Sequence, residues 1–251
     1  MCIRDRRLSV LTLFLFAFTV NTAFSQWNDN YISLSHKITT ENKPITDFDK
    51  LEVGEDFEVI IKFSTDTESV AIEANENLHE YITVEKKGNT LKIDTKSYST
   101  RGKNGGARER LVAYITAKQL TEIKGEEDVV IELDDKLVGE NLTIDLDEDA
   151  VLEGYIKVQN LTVNLNEDST VDIEGSASNM DIEANEDSMV KGYDFEVGDL
   201  NVELSEDSEA KLTVNGTIEL RARGDSNFYY RGKGKITRQR LTGDSEVKYW
   251  E

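Results

Sequence analysis

Seven copies of one short unit fill the chain from Leu120 to its end, and no other feature restricts its fold as strongly. Each copy centres on an acidic residue or glycine, then aspartate, then usually a small residue, as in Glu167-Asp168-Ser169 and Glu186-Asp187-Ser188. The aligned aspartates are Asp128, Asp149, Asp168, Asp187, Asp207, Asp225 and Asp244, at steps of 18 to 21 residues. A short period sustained over that length marks a repeat architecture.

The flanks of each aspartate identify the architecture. Three residues downstream the side chain is always apolar: Ile131, Leu152, Val171, Val190, Ala210, Phe228, Val247. Upstream, apolar residues stand at seven, five and three positions before it, as in Leu142, Ile144, Leu146 and Leu161, Val163, Leu165, and so on to Ile218, Leu220, Ala222. Thr, Asp, Asn, Glu and Arg fill the places between. Period-two alternation rich in β-branched residues predicts strands with one buried face, not helices. Each unit is then strand, acidic turn, strand, return loop. It is too short for a propeller blade and lacks the asparagine-leucine signature of a leucine-rich horseshoe. A parallel β-solenoid remains, with equivalent strands of successive coils stacked and the apolar rows inside. With no six-residue repeat present, the expected form is the wider right-handed parallel β-helix, with coils of about 19–20 residues; the alternation itself leaves the hand open.

Before the repeats the pattern is less regular. Residues 1–25 read as a secretory signal, with Arg6 and Arg7 ahead of an apolar run from Leu8 to Val20 and small residues at Ala23 and Ser25. That run is too short for a good membrane anchor, so the mature chain is expected to have no transmembrane segment. The single cysteine, Cys2, precedes the run, which leaves the mature chain without disulfides. Residues 26–44 hold the only proline and are expected to form a flexible lead. Residues 45–119 form an N-terminal β region, read as early solenoid coils starting near Phe48, with Lys87-Gly88-Asn89-Thr90 as a hairpin turn. Asp56 and Asn77 both carry apolar neighbours at offsets like those of the later units. A Gly-, Lys- and Arg-rich loop at 98–110 interrupts the region, and the main β-helix repeats occupy 120–251.

The phrases Phe48-Asp49-Lys50-Leu51-Glu52-Val53, Asp56-Phe57-Glu58-Val59-Ile60-Ile61 and Asn89-Thr90-Leu91-Lys92-Ile93, followed by strand-turn repeats ending near a serine, resemble the autotransporter adhesin head GIN domain family of Bacteroidetes exported proteins. The likeness runs from about Phe48 to Tyr249. It implies a right-handed parallel β-helix exported to the periplasm, the outer membrane surface or the extracellular space. In that family the turn is typically Ser-Gly-x-Ser. Here the glycine position holds Glu127, Glu148, Glu167, Glu186 and Glu206, with glycine only at Gly224 and Gly243. If the turn needs positive φ, those glutamates are strained.

Net charge is -21, which argues against nucleic acid and anionic membranes as partners. The stacked aspartates place carboxylates about 4.8 Å apart, one strand spacing. Either each accepts N–H bonds within its own turn, as Asx turns do, or Ca²⁺ sits between coils on Asp149, Asp168, Asp187 and Asp207. The first is the expected arrangement, because the calcium-solenoid nonapeptide is missing. Arg223-Gly224-Asp225 falls in register with the repeat and is read as coincidence. Asn141, Asn160 and Asn215 match glycan-acceptor triplets for the same reason. His36 and His79 stand alone, no Gly-rich phosphate loop is present, and the many carboxylate pairs carry no information in so acidic a chain. Tyr229, Tyr230, Tyr249 and Trp250 gather near the C-terminus, where Tyr229, Tyr230 and Trp250 are candidate ligand contacts and capping of the core is the favoured role.

The sequence thus predicts a non-enzymatic exported adhesin-like or cell-envelope scaffold module that needs no cofactor. Its partner is a surface ligand, a glycan or an envelope protein. The alternatives are a polysaccharide-binding or polysaccharide-active β-helix protein and a calcium-stabilised structural module.

Overall fold

The computed structural model describes residues 31–100 and 107–250; the expected signal at 1–25, the first residues of the lead (26–30) and part of the basic loop (101–106) lie outside these. The described chain is all β, a solenoid of about seven turns. Its coils stack in the register that the repeats require. On the strand before each turn, Ile123, Ile144, Val163, Ile182, Val202 and Leu220 are successive partners. On the strand after it, Ile131, Leu152, Val171, Val190, Ala210, Phe228 and Val247 form a second ladder. All of these but Val247 are buried. Val158, Ala177, Val197 and Val214 close a third side. Each fully buried aliphatic side chain in these rows contributes about 1.5–3 kcal/mol, so the stack is held by repetition, not by any one contact.

At the N-terminal end, chain order and stacking order part company. Strands Lys50–Val53 and Glu58–Phe63 do form a coil, and Asp56 lies in register with the later column. That coil pairs on one side with Glu122–Gly125 and Val130–Val138. On its other side lie Thr90–Thr95 and Leu111–Ala117, also parallel. Strands Thr90–Thr95 and Leu111–Ala117 therefore stack on the far side of the coil that precedes them in sequence.

Ser69–Asn75, expected to be a further coil carrying Asn77 in the column, is instead antiparallel to Leu111–Ala117. A period-two pattern is the same for parallel and antiparallel strands, so the offsets around Asn77 could not reveal the reversal. Ile82–Lys87 turns back on Thr90–Thr95 as the expected hairpin, with Gly88 at φ 65.

Residues 31–43 are also corrected. They were expected in a flexible lead, but Tyr31–Ile32 pairs with Ser99–Thr100 and Ile38–Lys43 adds an antiparallel strand to Ser69–Asn75. Side chains fix them in place. The fully buried Asn75 donates to the carbonyls of Ser35 (2.8 Å) and Arg108 (3.0 Å). Asn77 accepts from Ser35 N–H and donates to the carbonyl of Ser33. The first end of the solenoid is thus covered by antiparallel strands, which protects the edge that an open stack would expose.

Candidate functional site

The corner between the two strands of each coil is the most distinctive surface. Glu127, Glu148, Glu167, Glu186 and Glu206 adopt positive φ, from 42 to 66°, and Asp149 and Asp168 follow at 51 and 43°. The turn therefore does need the left-handed region, and glutamate fills it at a cost of about 1 kcal/mol per residue. At Gly224 and Gly243 glycine is obligatory: a Cβ on Gly224 would sit 2.8 Å from the Cα of Glu206, and one on Gly243 2.5 Å from the carbonyl oxygen of Gly224.

What closes the turn is not the aspartate. No column aspartate accepts a backbone N–H on its side chain among the described residues, which corrects the Asx-turn expectation. Where a serine follows the aspartate, from Ser169 onward, that serine does the closing. Ser188 and Ser226 donate to the carbonyls of Asn185 (2.5 Å) and Arg223 (2.6 Å). Ser208 donates to the carbonyl of Ala184 at 3.1 Å and accepts from the Ser205 N–H at 3.0 Å. These serines are fully buried. The sequence shows a small residue at this position but not the carbonyl that it bonds.

The acidic side chains are left at the exposed corner. Among the described residues none of the column carboxylates from Glu127 to Asp207 forms an ion pair. Burial of the turn, then the neighbouring glutamates, pushes the carboxyls of Glu148 and Glu186 above their ordinary range. Asp56 is raised by burial and then by Asp128. No three His, Cys, Asp or Glu side chains converge as a metal site among the described residues, so Asp149, Asp168, Asp187 and Asp207 offer an edge of single ligands, not a cage.

The terminal coils differ in charge. From Leu120 to Ser208 the chain has 27 Asp and Glu against four lysines; from Glu209 onward it has six against nine lysines and arginines. On the outer face before the turn, Arg221 has Glu203 as its strand neighbour on one side and Arg240 on the other. Arg221 pairs with Glu203 at 3.3 Å and Arg238 with Glu219 at 3.1 Å, whereas Arg223 and Arg240 have no ion pair among the described residues. Arg221, Arg223, Arg240 and Thr242, together with the carboxylate of Glu203, line a depression of about 210 Å³. Alignment on the apolar positions hid this set, because it lies wholly on the outward positions.

The aromatic candidates divide between roles. Strand alternation sends Tyr229 and Tyr230 to opposite faces, so they do not make one strip. Tyr230 stacks on buried Phe228 (5.6 Å between centroids) and meets Tyr249 edge-on at 5.3 Å, closing the end of the core. Tyr229 faces outward between the ammonium groups of Lys211 and Lys248. Trp250 is 54% exposed. Arg231 lies over the Tyr193 ring at 4.3 Å.

Other singled-out residues are structural. Nε2 of His79 lies 3.1 Å from both the carbonyl and the hydroxyl of Thr39, fastening the lead strand. Asn179 donates to Asn160 and Asn160 to Asn141 in a stacked amide ladder. In the described part of the basic loop, Arg110 bridges Glu58 (2.8 Å) and Glu73 (2.9 Å). A groove of about 480 Å³ along the return corner is lined by Lys157, Gln159, Ser176, Ser178, Glu196 and Asn215 beside Val138, Val158 and Val197. No helix among the described residues is long and apolar enough to cross a membrane.

Residues 47–234 match the family described as "Putative auto-transporter adhesin, head GIN domain". Among solved structures, a "putative adhesin" from Bacteroides fragilis is similar at TM-score 0.79 and 20% identity, over 87% of this chain and 100% of that one. A "putative adhesin" from Parabacteroides merdae and a "putative lipid binding protein" from Parabacteroides distasonis each give TM-score 0.68 at 17% identity, over 88% of this chain and 100% of theirs. At these identities the likeness is one of fold. No curated protein matches the chain.

Proposed function

The chain belongs to the auto-transporter adhesin head GIN domain family, and from that membership we propose that it is an exported, non-enzymatic adhesin-like module of the cell envelope, binding a surface ligand through the outer faces of its solenoid. One observation carries this reading. Outward side chains recur in register from coil to coil, as in the ladder Asn141, Asn160, Asn179, and so present a repeated surface instead of a converging set of reactive groups. An extended repeating face suits an extended ligand.

Glycan is the favoured ligand class because the return-corner groove sets hydroxyl, amide and charged groups beside the apolar side chains of Val138, Val158 and Val197, a mixture that suits the hydroxyls and C–H faces of a sugar. A glycan array probed with the purified chain, with and without Ca²⁺, tests this. Binding that weakens in Ser176→Tyr or Ser178→Tyr, whose bulk would fill the groove, is the expected result. Uniformly blank arrays, together with unaltered bacterial attachment when the protein is deleted, would remove both the ligand class and the adhesin role.

A further inference from the structure

We propose that the arginine depression of the terminal coils docks on the acidic corner of a second copy of this chain. Each half of the contact keeps unpaired charge within its own molecule. Arg221 and Arg240 are adjacent in register; Arg221 meets only Glu203, at 3.3 Å, and Arg223 and Arg240 have no carboxylate among the described residues. Along the corner, Glu148, Asp149, Glu167, Asp168, Glu186 and Asp187 stand exposed and unpaired among the described residues.

The two halves also fit in spacing and shape. Arg221 and Arg240 lie on neighbouring parallel strands, and the Glu-Asp turns belong to neighbouring coils, so both sets repeat at the same strand spacing, about 4.8 Å. Two guanidinium groups can meet two successive turns without a change of register, each as a planar fork on a carboxylate. The corner carboxylates are exposed, and the arginine site is a depression that an exposed turn can enter.

Because each molecule carries both halves on different surfaces, the contact is heterologous and can propagate into an open chain. Its salt dependence is distinctive. The net charge of -21 makes whole molecules repel, and at about 0.01 M salt the screening length of about 30 Å lets that repulsion dominate. At about 0.15 M it contracts to about 8 Å, leaving the local attraction; at about 1 M the contact itself is screened.

Sedimentation of the purified chain at those three salt levels should therefore show self-association greatest at the middle one. Arg221→Gln with Arg240→Gln should sediment as a monomer at every salt. So should a corner variant with Glu148, Glu167 and Glu186 changed to Gln and Asp149, Asp168 and Asp187 to Asn. Mixed, the two variants should form a one-to-one dimer that grows no further, which also shows that both are folded. A wild-type monomer at all three salts, or variants that fail to complement while keeping the wild-type circular dichroism spectrum, would overturn the proposal. Arginine-dependent binding of an oligogalacturonate to a chain that stays monomeric would overturn it too, and would make the occupant an acidic saccharide.

Discussion

Glu167 lies one coil from Glu148, and its charge, after burial of the turn, raises the Glu148 carboxyl above its ordinary range. Such pairs make the corner pH-sensitive with a definite sign. A folded-state pKa above the unfolded value means that the folded chain holds protons the unfolded chain has released, so stability falls as pH rises through that window. Glu55, Asp56, Glu148 and Glu186 all act this way. Glu52, lowered mainly by its hydrogen bond from Lys92, and Asp199, lowered by the Thr217 N–H, act oppositely, their stabilisation being lost as pH falls below the ordinary carboxyl range. The melting temperature is expected to rise as pH falls from neutral towards the ordinary carboxyl range and then to fall below it. Thermal melts of Glu148→Gln with Glu186→Gln should show a shallower rise; an unchanged slope would place the effect elsewhere.

The core ladder sets a second expectation. Val163 is fully buried between Ile144 and Ile182, while Thr162 faces outward between Thr143 and Asp181. Val163→Asp would place an unpaired carboxylate mid-stack, costing several kcal/mol, whereas Thr162→Asp adds surface charge at less than about 1 kcal/mol. Chemical denaturation of the two variants measures the gap, and equal midpoints would mean the strand faces are reversed.

Turn conformation gives a third. Glu186 holds φ at 59°, so Glu186→Gly should stabilise by about 1 kcal/mol by removing the left-handed penalty. The reverse change, Gly224→Ala, should destabilise, because its Cβ meets the Glu206 backbone. A lower melting temperature for Glu186→Gly would show that the glutamate side chain contributes more to the fold than its backbone costs.

Calcium gives a fourth. With no converging ligand set among the described residues, millimolar Ca²⁺ should raise the melting temperature no more than NaCl of matched ionic strength, since both act by screening the corner. A Ca²⁺-specific rise, lost in Asp168→Asn with Asp187→Asn, would instead indicate mass-action binding.

The repeat was legible because its apolar positions face a core that tolerates little else: Ile144, Val163, Ile182, Val202 and Leu220 appear at the offsets that the aspartates set. Strand direction was not legible. Val70, Ile72 and Ala74 alternate like any coil strand yet run antiparallel to Leu111–Ala117. The serines' role was only half visible, since a small residue in a turn can be read as space-filling; that Ser208 bonds the carbonyl of Ala184 depends on the neighbouring coil. The arginine set escaped because it occupies outward positions of the last coils alone, where Arg221 and Arg240 follow a glutamate in the same row.

The displaced first coil has a consequence for the route to the fold. From Asn141 onward each coil closes on the next over 18 to 20 residues, as Asn160 does on Asn141 and Thr217 on Asp199. Lys50 must instead find Glu122, 72 residues away. Closing that longer loop costs about 1 kcal/mol more in chain entropy, and it needs the intervening strands out of the way. Assembly is therefore expected to begin in the later repeats and to reach the earlier residues last, so that the part of the protein synthesised first is the last to become native. A chain that delays its own beginning in this way stays extended at its leading end for longer, which suits a polypeptide that has to be threaded before it folds.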